Sequence, residues 1–177
     1  MPTLQTRQLE ILTGGGSIGH CTKTACTTLH SHGLNYPNGL IVHPTTKQIY
    51  VPSSITGKIH VFTLHTNPTA RLQKVHTIRL PQPIDNLSVD AKGDVYAATF
   101  PRTWEFIEHQ KRPWEVRPPA AVWRVRQMGE EMRFETEKVL EGSGAFLPSA
   151  TVAIHDTKAK RMFLGGMYCG LRVWGGS

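Results

Sequence analysis

The stretch NGLIVHPTTKQIYVPSSITGKIHVFTLH, residues 38–65, reads as three short strands separated by turns, and its pattern returns twice further along the chain. Its β-branched and aromatic residues come in short runs bounded by Pro, Gly, Thr and Ser, which is strand composition and not that of an amphipathic helix. The second occurrence is DNLSVDAKGDVYAATF at 85–100, resumed by AAVWRVRQ at 120–127, and the third is SATVAIHDTKAKRMFLGGMYCGLRVW at 149–174. Each has an apolar strand, a turn containing Lys, a strand centred on an aromatic (Tyr50, Tyr96, Phe163) and a strand of the type IHVF, VWRV or LRVW. A meander of three to four strands repeated at this spacing is the signature of β-propeller blades, small sheets that bury their faces against their neighbours.

The remaining segments agree. VHTIRL and MRFETEKVL add strands, and no segment carries a long apolar stripe at helical spacing, so the fold class is all-β. The chain divides into an N-terminal extension at 1–16 and a partial propeller at 17–177. The second repeat is interrupted at 101–119 by PRTWEFIEHQKRPWEVRPP, a Pro-rich, aromatic and charged loop expected to cover one face.

Composition narrows the classes. The 177 residues are enough for one domain with a core, at 39% apolar and 19% charged, and no apolar run approaches the ~18 residues that span a bilayer. The first dozen residues lack the basic start, apolar middle and small-residue cleavage site of a secretory signal, so the chain as given is expected not to be exported. The net charge of +7 reflects an acid-free stretch between Glu10 and Asp85 more than any Lys/Arg cluster, which argues against a nucleic-acid site. Three cysteines do not make a disulfide framework, although Cys21 and Cys26 are placed for one bridge in an oxidising compartment.

The first strand of a propeller blade lines the central channel, so residues at its entrance converge on the axis from different blades. Asn38 and the Asp85–Asn86 pair occupy that entrance in the first two repeats. Oxygen-bearing side chains with a single charge among them suit a hard cation such as Ca²⁺. The plainer account is that Asn38 and Asn86 satisfy backbone groups at turns.

These residues carry a likeness. YPNGLIVHPTTKQIYVPSSITGKIHVF followed by IDNLSVDAKGDVYAATFP resembles the paraoxonase/arylesterase family, calcium-dependent hydrolases of lactones and aryl esters related to gluconolactonases and strictosidine synthase-like proteins. The resemblance is strongest over 33–101 and looser from Ser17 to the C-terminus. It implies a six-bladed propeller with a catalytic calcium at the top of its channel, polarising the ester carbonyl as a Lewis acid. On that likeness Asn38, Asp85 and Asn86 match calcium ligands, and Tyr36 and Phe100 fall at the substrate pocket, Tyr36 on its aromatic wall and Phe100 where the family carries a histidine.

The resemblance also implies what this stretch does not supply. The family's other catalytic-calcium ligands, its proposed histidine dyad and its second calcium site lie in the N-terminal half of the propeller. Its closing cysteine is unmatched too, Cys169 falling early with Trp174 near the expected place. About three blades of six are therefore expected, with half of a calcium site. The expected function is hydrolysis of a small-molecule ester or lactone; the alternative is a non-catalytic fragment or interaction module. An incomplete propeller exposes strand edges and apolar faces, so either the protein begins upstream of Met1 or a partner chain or second copy completes the ring. The compartment stays open, since a signal or anchor would belong to a longer form.

Other motifs weigh less. GGGSIG at 14–19 matches a dinucleotide fingerprint in letters, but no helical pattern and no acid follow it. His20, Cys21, Cys26, His30 and His32 are too compressed for a structural zinc site, and a cysteine-paired hairpin is expected there. Asn86-Leu-Ser88 is a glycosylation sequon in form, incompatible with a channel-facing Asn86. His43, His60, His65, His76, His109 and His155 read as ordinary strand and turn residues. Trp104, Trp114 and the cations of the inserted loop read as a lid or rim and not as a stacking surface for nucleic acid.

Overall fold

A computed structural model describes residues 14–30, 32–67, 69–129 and 131–175, and, of Cys169 to Leu171, the backbone. The expected N-terminal extension lies outside the described residues as far as residue 13. Among the described residues, thirteen strands form four antiparallel sheets. A hairpin of β1 (Ile18–Cys21) and β2 (Cys26–His30) comes first. Next is a four-stranded blade of β3 (Ile41–Val42), β4 (Ile49–Ser53), β5 (Lys58–His65) and β6 (Arg71–Arg79). The second blade is β7 (Ile84–Val89), β8 (Val95–Thr99), β9 (Ala120–Gln127) and β10 (Phe134–Gly142). The third has three strands, β11 (Ala150–Asp156), β12 (Arg161–Gly166) and β13 (Cys169–Gly175). In every sheet the strand order follows the chain, so the three repeats are blade-like meanders and the molecule is an incomplete propeller.

Strand alternation explains how the blades stack. On β4, Tyr50 turns to one face and Val51 to the other, and both are buried. Tyr50, Ile59, Val61 and Ile78 of the first blade meet Ile84, Leu87, Val95 and Val125 of the second. Val51 and Phe62 face the opposite way, against Ile18 and Leu34, so the β1–β2 segment caps the outer face of the first blade. On the far side of the second blade, Tyr96 and Val122 pack with Ala150, Ala153, Met162 and Leu164 of the third. Each fully buried Val, Leu, Ile, Phe or Met side chain among these contributes about 1.5–3 kcal/mol of transfer free energy.

The turn after each innermost strand is built the same way. Asp90 Oδ1 accepts the backbone N–H groups of Lys92 and Asp94 at 2.9 and 3.0 Å, and Asp156 Oδ1 accepts those of Lys158 and Ala159 at 2.9 and 3.0 Å. In the first blade an imidazole does the work of the carboxylate: His43 Nδ1 accepts from Thr45 and Thr46 at 3.3 and 3.2 Å. An accepting Nδ1 leaves the proton on Nε2, which donates to Gly93 O in the next blade at 2.9 Å. Gly93 has φ +89°, and a Cβ there would lie 2.7 Å from His43 Nε2, so both backbone and space demand glycine. The next seam is joined likewise, His155 Nδ1 lying 2.8 Å from Asp90 Oδ2 and 2.9 Å from the Tyr96 hydroxyl.

Two expectations are refined. Cys21 and Cys26 form a disulfide across the β1–β2 hairpin, which removes both from any zinc site, and the GGGSIG segment leads into β1 and not a helix. The inserted loop of 101–119 contains a helix, α1 (Thr103–Lys111), whose i,i+3 and i,i+4 pairs Arg102–Glu105, Glu108–Lys111 and Glu108–Arg112 support it.

Candidate functional site

Ile84 pairs with Thr99, so the start of β7, the end of β8 and the inserted segment that follows share one end of the second blade. Asn38 is brought to this end by the loop before β3, where Asn38 N–H donates to Pro52 O at 3.3 Å and Ser54 N–H to Tyr36 O at 3.1 Å. Tyr36 bends the chain there at φ 54°, a left-handed conformation for a non-glycine residue, with its ring half exposed. Gly39, at φ +75°, follows Asn38, and a Cβ on it would touch Asn86 Oδ1 at 3.6 Å.

The pairing of β7 with β8 slips by one residue between Ile84 and Leu87. This bulge holds Asp85 and Asn86, and it lets two consecutive side chains work in one region where a regular strand would send them to opposite faces. Asn38 Nδ2 donates to Asp85 Oδ1, and Asn86 Nδ2 donates to the same oxygen at 3.1 Å. The Asn86 amide also reaches Thr151 O of the third blade at 3.1 Å. The pairing of β11 with β12 slips at that point too, between Ala150 and Val152. All three blades thus meet through one carboxylate, two amides and a backbone carbonyl.

Asp85 is 8% exposed, and burial pushes its pKa up to about 6, the hydrogen bond from Asn38 opposing. Its hydrogen-bond partners are amides, and no salt bridge joins it among the described residues. Among those residues, too, no group of three or more His, Cys, Asp or Glu is gathered to hold a metal. Any ion here would be held by mixed carboxylate, amide and carbonyl oxygens, the donor set of a hard cation. Phe100 is 5% exposed and stacks on Phe106 of α1 at 3.8 Å, so it acts from beneath the inserted segment.

Sequence reasoning missed Thr151, yet a signal for it existed. Asn38, Asp85 and Thr151 each stand five residues ahead of the capping residue of their blade, His43, Asp90 and Asp156. It also missed Ser149, which is buried at φ 51° just before β11 with its hydroxyl oxygen lacking a hydrogen-bond partner.

Blade-like meanders joined at one end by converging oxygens define an all-β protein of propeller type. The family model described as Arylesterase matches residues 24–171, and the chain belongs to that family. It is 29% identical over 141 residues to serum paraoxonase/arylesterase 2 of Bos taurus and 28% identical over 141 residues to that of Homo sapiens, covering 78% of this chain and 37% of each relative. Human serum paraoxonase/arylesterase 1 is 28% identical over 125 residues, 70% of this chain and 33% of that protein. The matched part of the chain spans 33–37% of the length of these relatives.

Proposed function

We propose that this chain carries part of the metal site of a calcium-dependent hydrolase acting on carboxylic esters or lactones, with Asn38, Asp85 and Asn86 as its contribution. The observation that supports this most is the Asp85 carboxylate, buried among amides and, among the described residues, without a salt bridge to balance it. When bound, Ca²⁺ would supply Lewis-acid polarisation of the substrate carbonyl. Asp85 provides the charge that retains such an ion, Asn38 and Asn86 fix the carboxylate's orientation, and Tyr36 offers its half-exposed ring as a wall for an apolar acyl or aryl group. Phe100 supports that end of the molecule through α1.

The partial span supports a second reading, a non-catalytic module. Ile154, Phe163 and Val173 lie in one cross-strand row on the outer face of the third blade, with Ile154 and Val173 about half exposed. That face is suited to packing against a further blade, from a longer form, a partner chain or a second copy. Calorimetric titration of the chain with Ca²⁺, alongside hydrolysis assays on a phenyl ester and an aliphatic lactone, separates the readings. Calcium heat that Asp85→Ala abolishes supports the site; neither heat nor turnover leaves the module.

A further inference from the structure

The seam between the first two blades opens outward into a recess of about 620 Å³, within the ~300–1,000 Å³ usual for small-molecule sites. One side of it is the end of β6, and the other is the turn from β9 into β10 with the start of that strand. It shares no residue with the junction at Asp85.

Strand register builds its floor. Ile78 pairs with Ile59 and His76 with Val61, so both turn toward the second blade, Ile78 buried in the core and His76 half-buried at its margin. There the His76 ring lies 5.0 Å from that of Phe134 at 37°, and Tyr50 meets Phe134 edge-on at 6.3 Å. Met132 lies beside them, its Sδ accepting from Gln48 Nε2 at 3.3 Å. Phe134 and Met132 both pack against the core shared by the two blades. The floor is therefore apolar, partly aromatic and held in place before any ligand arrives.

The rim carries charge that the fold leaves unanswered. Arg79 comes from the first blade and Arg133 from the second; both are exposed, and no salt bridge among the described residues includes either. Arg124, Arg126 and Lys138, on strands of the second blade, each hold a carboxylate by contrast. Glu131 lines the same recess and pairs with neither guanidinium. A guanidinium presents a planar fork that matches a carboxylate or phosphate through two parallel hydrogen bonds. Two such groups at the rim of a floor of rings and a thioether suit an aromatic body bearing one oxyanion. A neutral ring would leave the guanidiniums unanswered, and a bare anion would leave the floor wet.

We propose that Arg79, Arg133, His76, Met132 and Phe134 form a binding site for a small aromatic oxyanion, an aryl carboxylate or aryl phosphate, at the outer seam of the first two blades. The site stands independently of the hydrolase reading, since it uses none of that reading's residues.

The test is heteronuclear NMR titration of the full chain with phenylacetate, phenyl phosphate, benzyl alcohol and acetate. An aryl anion should bind saturably and move the amides of 76–79 and 131–136 first, the tighter of the two naming the oxyanion. Benzyl alcohol, which keeps the ring, and acetate, which keeps the charge, should each bind at least roughly tenfold more weakly. Arg79→Gln and Arg133→Gln should each lower affinity roughly tenfold. Glu131→Gln should raise it about threefold by removing a like charge. Arg71→Gln, at the far end of β6, should leave it unchanged. Amide spectra unchanged outside the recess show the variants folded. The proposal is overturned if neither aryl anion saturates, if the double variant of Arg79→Gln with Arg133→Gln binds as well as the native chain, or if Arg71→Gln weakens binding as much as Arg133→Gln. It is overturned too if the shifts gather at Tyr36, Asp85 and Asn86, which would move the aryl anion to the proposed metal site and leave that reading standing.

Discussion

Asn38 and Asp85 stand 47 residues apart in the chain and meet where the first two blades open, the amide of one donating to the buried carboxylate of the other. The contact ties one blade to the next through a group that burial makes costly to ionise. Stability and the proposed ion binding therefore ask opposite things of Asp85.

Asp85→Asn should separate them. An amide oxygen at this position accepts the same two hydrogen bonds without a charge to desolvate. In chelator at pH 8 the variant is expected to be more stable than the native chain, by about 1–3 kcal/mol in urea unfolding, while its calcium heat disappears. A less stable variant in chelator would count against the uncompensated charge.

His43 makes a second case. Its Nδ1 caps a turn and its Nε2 joins two blades. His43→Ala should cost about 2–3 kcal/mol. His43→Asp, which copies the residue of the other two blades, should restore the turn but not the link to Gly93, and fall between. Equal melting temperatures for the two variants would show that the turn bonds carry nothing.

His60 sets an acid limit. It is 4% exposed with Nε2 lacking a hydrogen-bond partner, and burial, aided by Lys74 and Lys58, pulls its pKa from 6.5 down to about 4. The unfolded chain takes up a proton that the folded chain refuses, so this stabilisation is complete above pH 6.5 and is lost as pH falls toward 4. The loss should reach up to about 3 kcal/mol. Unfolding free energies measured between pH 7 and pH 4 should fall more steeply for the native chain than for His60→Leu; parallel curves would locate the acid sensitivity elsewhere.

The Cys21–Cys26 bridge closes a short loop at the tip of the hairpin that caps the first blade. Reduction should cost about 2 kcal/mol in that hairpin by loop entropy. Hydrogen exchange should show it as faster exchange in β1 and β2, with β7 and β8 unchanged. Faster exchange throughout would mean that the hairpin and blades unfold as one unit.

The recurrence of Tyr50 and Tyr96 in matching strands made the blades legible, because side chains that alternate between two buried faces leave a period in the sequence. The Asp85–Asn86 pair was legible as well: two polar residues between Ile84 and Leu87 break the alternation where the bulge lies. The helix was not. Prolines flank it at 101 and 113, and its stabilising charge pairs are spaced as any mixed loop might be. Phe100 could not be placed without that helix, since its burial depends on Phe106. Nor could His43 be foreseen as the counterpart of Asp90 and Asp156, because an imidazole replaces a carboxylate only in one tautomer.

The five-residue offset between Asn38, Asp85 or Thr151 and its turn cap amounts to a portable socket. The cap fixes the frame, and what meets at the junction is a side chain at Asn38 and Asp85 and a backbone carbonyl at Thr151. Redesign of the proposed ion site can thus proceed at Asn38 and Asp85, whose side chains meet there, leaving His43 and Asp90 untouched, while the backbone carbonyl of Thr151 stays the same whatever residue carries it.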